Sequence, residues 1–341
     1  MLGIDIPSWP YVYGQPSGQG IIRHVPEDFV VIEQLAFEPS GAGEHVFLQI
    51  EKTAENTDTV ARQLARLAGV RQRDVGYAGI KDRHAVATQW FSVWLPGLKE
   101  APDWSQLASE HIKILHTVRH ARKLKRGVLS GNHFKLVIRN WRGDPAKTNR
   151  QLERIKEHGI ANYYGPQRFG NGGQNVNKAL AMFQGIKTSR EQRSLYLSAA
   201  RSYLFNQILA RRVSDQCWNQ ALAGDTYSFD LSHSWFKSGQ ADTEILRRLA
   251  AKEIHPTGVL WGKGDADVAA DALAIEQAVI DAHPELAEGL VAFAVARDRR
   301  ALRINVQNLQ WRFIDDSTLE LAFMLPAGSY ATSVLREIIE L

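Results

Sequence analysis

A change of pattern along the chain constrains its fold more than any single motif. β-forming runs dominate from residue 20 to 141, the spacing turns mainly helical from 144 to about 299, and strands return only after 300. One domain inserted into another produces that order. Residues 20–25 and 29–35 read as strands around the turn Pro26-Glu27-Asp28, and 45–51 as a third with period-two alternation. A helix follows, capped by Asn56 or Thr57, with Val60, Leu64 and Leu67 in one stripe and Gly69 at its end. Further strands are expected over 89–95, 111–118 and 133–141. In the middle, Asp144 caps a helix with Pro145 in its first turn. Ser189 opens a long helix to about 214, its apolar side formed by Leu195, Ala199, Leu204, Ile208 and Leu209. Another spans 265–282, stopped by Pro284. Strands over 301–306, 310–314 and 319–325 and a short last helix close the chain. With no regular βαβ alternation, the expected class is α+β.

A length of 341 residues favours two domains. No apolar run approaches 18 residues and no secretory signal opens the chain, so a cytoplasmic protein outside the membrane is expected. One cysteine, Cys217, excludes an intramolecular disulfide and a cysteine-based metal cluster. The eleven histidines show no ligand spacing, and phosphate-loop, dinucleotide and nucleophile-elbow motifs are absent, so neither metal nor cofactor is expected. Without a coiled coil or a broad apolar stripe, the expected state is a monomer.

Charge is unevenly placed. Between His111 and Gly143 there is no acid, while that window holds Lys113, Arg119, Arg122, Lys123, Lys125, Arg126, Lys135, Arg139 and Arg142. Removing those nine from the 41 Lys and Arg leaves 32 against 37 Asp and Glu, so the rest of the chain is mildly acidic. Such a segment is the footprint of a protein that binds phosphate backbones.

Two stretches carry potential chemistry. In 76–84, glycines at 76 and 79 precede Lys81-Asp82-Arg83-His84. Glycine permits a tight turn or a close approach, and positive charge on both sides favours the charged form of a carboxylate. Asp82 then suits a nucleophile or base better than a proton donor, although a solvated polar turn has the same composition. The stretch 159–173 mixes Tyr163, Tyr164, Phe169, amides and Arg168 with five glycines. Those are materials for stacking on bases and gripping phosphates, and equally those of an interdomain linker.

Several segments together resemble the TruD family of tRNA pseudouridine synthases. They include Pro26-Glu27-Asp28-Phe29-Val30-Val31, Gly43-Glu44-His45, Lys52-Thr53 with Asn56-Thr57, and Ala78-Gly79-Ile80-Lys81-Asp82 with Ala85, Thr88 and Gln89. Leu124-Lys125-Arg126-Gly127, Gly131-Asn132-His133-Phe134 and Asn162 through Gly170 continue the series. Arg201 through Asn206, Pro256-Thr257-Gly258, Leu260-Trp261-Gly262 and Leu325 through Thr332 complete it. Any one could arise by chance; in this order, over nearly the whole chain, they are specific.

The resemblance implies a pseudouridine synthase catalytic domain on a mixed, largely antiparallel sheet, over residues 1–154 and 304–341, interrupted by a mainly helical α/β insertion over 155–303. It implies an isomerase that converts uridine 13 of tRNA, in the D arm, to pseudouridine without a cofactor. By the family's motifs Asp82 is the catalytic carboxylate, as nucleophile on carbon or base on the ribose, with Arg23 holding it in its charged form and Lys81 beside it. Phe134 is the residue to stack on the flipped uracil, with Phe29 and Phe323 lining the pocket and Asn132 bonding the uracil edge or ribose. Gln89, Arg168 and Arg336 order the aspartate or bind phosphate, and Lys123, Lys125 and Arg126 bind RNA. Two other readings compete. A non-catalytic tRNA-binding or folding protein of the same fold would not need Asp82. A hydrolase of glycosidic bonds would want paired carboxylates or a metal, and neither lies near Asp82 in sequence.

Overall fold

In the computed structural model, which describes residues 3–232 and 234–340, the chain forms an α+β protein of two compact units. The sheet unit comprises Ser17–Pro145, Val306–Ser329 and Ile339–Leu341; the helical unit comprises Met1–Pro16, Ala146–Asn305 and Tyr330–Ile338. No helix among the described residues is long and apolar enough to cross a membrane.

The chain starts the sheet unit with β1 (Gly18–Ile22), β2 (Phe29–Leu35), β3 (His45–Thr53), α1 (Thr57–Leu67), β4 (Val75–Tyr77), β5 (Val86–Trp94), β6 (Ile112–His120) and β7 (Leu129–Gly143). Next come α2 (Pro145–His158), β8 (Ile160–Ala161), α3 (Gln174–Phe183), α4 (Arg190–Ser214), β9 (Thr226–Phe229), β10 (Trp235–Lys237), α5 (Thr243–Ala250) and β11 (Ile254–Leu260). Then follow α6 (Ala270–Asp281), α7 (Pro284–Ala292), β12 (Asp298–Ala301), β13 (Arg303–Ile304), β14 (Gln307–Asp315), β15 (Thr318–Pro326), α8 (Ala331–Leu335) and β16 (Ile339–Glu340).

The large sheet runs β14-β15-β7-β2-β5-β3-β6, with β1, β4 and β16 attached at its margins. Its pairings are antiparallel except β2 with β5 and β1 with β16. One face of β3 and β5, bearing Val46, Leu48, Ile50, Phe91 and Val93, packs against Val60, Leu64 and Ala65 of α1. α1 begins where Asn56 leaves the extended region and ends before Gly69, whose φ of 63° favours glycine. Gly76 has another reason. A Cβ there would strike the Leu124 carbonyl and lie 2.7 Å from Ser92 Oγ. Its bare backbone lets the strap of residues 122–128 lie flat, pinned by Leu124 N to Ser92 Oγ (3.0 Å) and Gly127 N to Ala78 O (2.8 Å).

In the helical unit, Ser189 caps α4 in a reciprocal box with Gln192. Most of the expected apolar side of α4 is buried, but Leu195 is 46% exposed: it falls in the outer turns, before the buried run from Ala199. α6 starts at Ala270, five residues later than the sequence spacing predicts, and Pro284 both stops it and opens α7. A four-stranded sheet, β10-β9-β11-β12, was not legible in the sequence. Its second interior strand, β11, contains Pro256 and Gly258, which argue against a strand. Gly258 sits where a Cβ would come within 2.9 Å of Leu302 and 3.2 Å of Phe205. Arg299 of β12 is wholly buried and bonds Glu276 at 2.8 Å and the Thr257 carbonyl at 2.8 Å.

Gly76→Ala should lower the urea midpoint, at a cost of about 1–3 kcal/mol, because the strap must move off the strand. An unchanged midpoint would show that the strap yields freely.

Candidate active site

Asp82 stands on the eight-residue loop between β4 and β5, which is held by three contacts to its backbone and one from its Arg83 side chain. Gln89 Nε2 donates to Gly79 O (2.6 Å), Lys81 N to Thr57 Oγ1 (3.1 Å), Lys52 Nζ to Asp82 O (3.2 Å) and Arg83 Nε to Ala54 O (3.1 Å). Gly79, like Gly76, has an ordinary φ, but open space surrounds it. The carboxylate itself faces outward, 38% exposed. Its Oδ2 lies 2.9 Å from an Arg23 guanidinium nitrogen, and its Oδ1 accepts from His84 N at 3.1 Å. Arg23 in turn lies 4.2 Å over the Phe29 ring. It reaches this position with a φ of 57°, a conformation that costs a non-glycine residue energy.

Strand register builds the wall beside this loop. β7 sets Asn132 opposite Glu33 of β2 and Leu325 of β15; two residues on, Phe134 faces Val31 and Phe323. Side chains two apart share a face, so Phe29, Phe134, Phe323, Asn132 and Glu33 lie together. Phe134 meets Phe29 edge-on (6.2 Å between centroids) and tilts against Phe323 at 5.5 Å. Asn132 is 8% exposed, and its Oδ1 has no hydrogen-bond partner among the described residues.

Beneath the loop lies a buried polar layer. Glu33 Oε1 pairs with Lys81 Nζ at 2.7 Å, and Oε2 accepts from Trp90 N at 2.9 Å. Burial raises the Glu33 pKa above the usual carboxylate range, against the pull of Lys81. The same burial lowers Lys52 to about 8. Gln89 is wholly buried, accepting from the Thr57 hydroxyl at 3.0 Å while holding Gly79. In the sequence Glu33 has no site role, and Lys52 and Thr57 stand out only in TruD-like segments, Thr57 also as a helix cap, although Lys52 continues the row Val46, Leu48, Ile50 and so marks a charge on an apolar face.

The remaining residues lie elsewhere. Arg168 belongs to the helical unit, bonding Ser198 Oγ (2.8 Å) and Tyr330 OH (3.2 Å). Arg336, in the same unit, donates to the Trp9 and Pro10 carbonyls. Tyr163, Tyr164 and Phe169 are buried in the helical unit, as Phe29, Phe134 and Phe323 are in the sheet unit. The basic window is also less bare than its sequence. Lys113 pairs with Glu51 (2.8 Å), Arg139 with Asp28 (2.8 Å) and Lys135 with Glu320 (3.5 Å), because neighbouring strands bring acids from far along the chain. Lys125 and Arg126, exposed on the strap, have no carboxylate within ion-pair distance among the described residues. Lys123 donates to the Arg73 carbonyl at 2.5 Å.

The sequence pattern of tRNA pseudouridine synthase D (TruD) matches residues 6–185 and 173–338. The chain belongs to this family. It is 50% identical to the tRNA pseudouridine synthase D of Methylococcus capsulatus over 97% of this chain and 94% of that one. The proteins of the same name from Hydrogenovibrio crunogenus and Nitrosococcus oceani are 43% and 45% identical, over 99% and 95% of this chain and 97% and 91% of theirs. The crystal structure of the Methanosarcina mazei protein assigned to TruD shares the fold, with a TM-score of 0.73 at 22% identity over 99% of this chain and 97% of that one.

Glu33→Ala should cost about 3–5 kcal/mol, since it strands the Lys81 charge in the interior. Lys113→Ala, at an exposed pair, should cost at most about 1 kcal/mol. Paired urea titrations check the contrast; equal losses would mean that Lys81 finds solvent.

Proposed function

We propose that this chain is a tRNA pseudouridine synthase that isomerises uridine 13, in the D arm, with a catalytic domain over 1–154 and 304–341 that contains the large sheet and, within the helical unit, residues 155–303 as the insertion characteristic of TruD. Family membership over nearly the full chain supports the reaction. The observation that carries the site is an outward-facing Asp82 carboxylate clamped at 2.9 Å by Arg23, on a loop fixed beside a phenylalanine wall.

The chemistry requires breaking the C1′–N1 bond, turning the uracil and forming C1′–C5; N1 gains a proton and C5 loses one, so the product is an isomer. A base inside an RNA stack is out of reach and must be flipped. Phe134, the most exposed of the three rings at 8%, with Phe29 and Phe323 more deeply buried behind it, is the candidate apolar surface for the extruded uracil. The partnerless Asn132 Oδ1 can accept from uracil N3–H. Asp82 engages the nucleoside, either attacking C1′ or taking a proton from the ribose. Arg23 orients that carboxylate and balances its charge. Lys81 and Gln89 serve from behind, holding the loop through Glu33, Thr57 and Gly79.

Lys123, Lys125 and Arg126 present the strap to the RNA backbone. It is bonded to Ala78, four residues before Asp82, and Arg73, Tyr77 and these three residues line a common surface cavity of about 690 Å³. Arg168 contributes a further cation from the insertion.

Pseudouridine mapping on an unmodified cytoplasmic tRNA transcript bearing U13, with no cofactor or metal added, tests the reading. Wild type should convert U13, and Asp82→Asn should bind the transcript yet convert none. Tight binding without product from wild type would favour a non-catalytic RNA-binding protein. For the strap, Lys125→Ala/Arg126→Ala should reduce the slope of log affinity against log salt by about one per cation removed. Filter binding across salt concentrations reads this, and an unaltered slope would move the backbone contact elsewhere.

A further inference from the structure

Lys52 is the most heavily desolvated cation in the sheet unit, at 0% exposure, and the mechanism above does not use it. It sits one residue from the end of β3, on the face that carries Ile50 and α1. Its Nζ donates to two backbone carbonyls, Glu55 O at 2.6 Å and Asp82 O at 3.2 Å. These belong to two different loops. Arg83 Nε to Ala54 O joins the same two loops, and Lys81 N to Thr57 Oγ1 ties the second of them to the first residue of α1. The first loop turns through Ala54 with a φ of 56°, a conformation retained only where its surroundings enforce it.

We propose that Lys52 is a positioning residue for Asp82: its buried ammonium ties the backbone of that residue to the turn after β3 and fixes the carboxylate against Arg23. This deepens the pseudouridine synthase reading and rests on it. An apolar side chain could fill the same space, and burying an ammonium is costly unless its protons are used. Here they bond a carbonyl of the residue that must be aimed. Lys52 does not touch the substrate; it acts through Asp82.

The surrounding charges make the proposal separable from simple stability. Burial lowers the Lys52 pKa from 10.5 to about 8; Asp82, Glu55 and Glu33 oppose that shift, and Lys81 adds to it. Arg83 also borders the site. Because the folded value lies below the unfolded one, the unfolded chain binds the extra proton between about pH 8 and 10.5. The contribution of Lys52 to stability therefore rises with pH across that window. Its positioning contribution falls in the same window, since an ammonium donates stronger hydrogen bonds than an amine.

The test is single-turnover pseudouridine formation on U13 transcript with wild type, Lys52→Met and Lys52→Arg, alongside tRNA affinity and melting temperature. Lys52→Met should convert substrate about 10- to 100-fold more slowly, as expected for a misaligned catalytic group, with affinity within about twofold. The wild-type rate should decline above about pH 8 while the melting temperature does not. Lys52→Arg, which stays charged, should carry its plateau to higher pH and controls for titration of the RNA. A Lys52→Met rate within about twofold of wild type overturns the proposal. If that variant does not fold, a wild-type rate decline identical to that of Lys52→Arg overturns it instead. An inactive wild type would fail the functional reading itself, a distinct outcome.

Discussion

The double ladder of β7 is the constraint on which the rest of the sheet unit depends. This strand is bonded to β2 on one side and β15 on the other through the same stretch, and to β1 further along. Its register alone decides that Asn132 meets Glu33 and that Phe134 meets Phe323. A slip of one residue in β7 would turn Phe134 and Asn132 to the opposite face, away from Phe29 and Phe323. Backbone hydrogen bonding, repeated residue after residue, thus sets distances that no single side-chain contact could guarantee.

The loop that carries Asp82 is held by different means. No strand pairs with residues 78–85, so buried polar side chains take over the role of the ladder. Glu33, Lys52, Thr57 and Gln89 each spend a hydrogen bond or ion pair on it, directly or through one neighbour. Both non-glycine residues in left-handed backbone near the loop, Arg23 and Ala54, are joined to it: one through the Asp82 carboxylate, the other through Arg83. Each such position costs on the order of 1–2 kcal/mol, offset by the dense bonding around it. The interior charges prevent rearrangement, because any movement of the loop would leave one of them without a partner.

Much of this was legible in the sequence, and the exceptions share a cause. Period-two alternation revealed β3, and capping chemistry revealed α1, α2 and α4, since those signals are local. The Lys81-Asp82 pair and the Gly131–Phe134 segment were legible through the resemblance to TruD. Strand β11 was not, because Pro256 and Gly258 break the pattern that identifies strands, and their tolerance depends on Phe205 and Leu302 from distant parts of the chain. The basic window seemed free of acids because sequence shows only neighbours along the chain; Asp28, Glu51 and Glu320 arrive by strand pairing. Likewise Tyr163, Tyr164 and Phe169 have the composition of a stacking surface, and their burial follows from packing that the sequence does not show. Glu33 and Lys52 read as ordinary strand charges until register shows that both point inward.

Connectivity adds a consequence for biogenesis. The chain passes between the two units five times, at residues 16–17, 145–146, 305–306, 329–330 and 338–339. β7 is therefore translated long before β15, its partner from Gly131 to Ile138. At ribosomal rates of about 5–20 residues per second the interval is on the order of ten to forty seconds. Through that time one edge of the strand bearing Asn132 and Phe134 has no bonded neighbour, the condition under which nascent strands pair wrongly. The helical segment emerges and can collapse in the meantime. For this topology the phenylalanine wall closes only after most of the chain has been made.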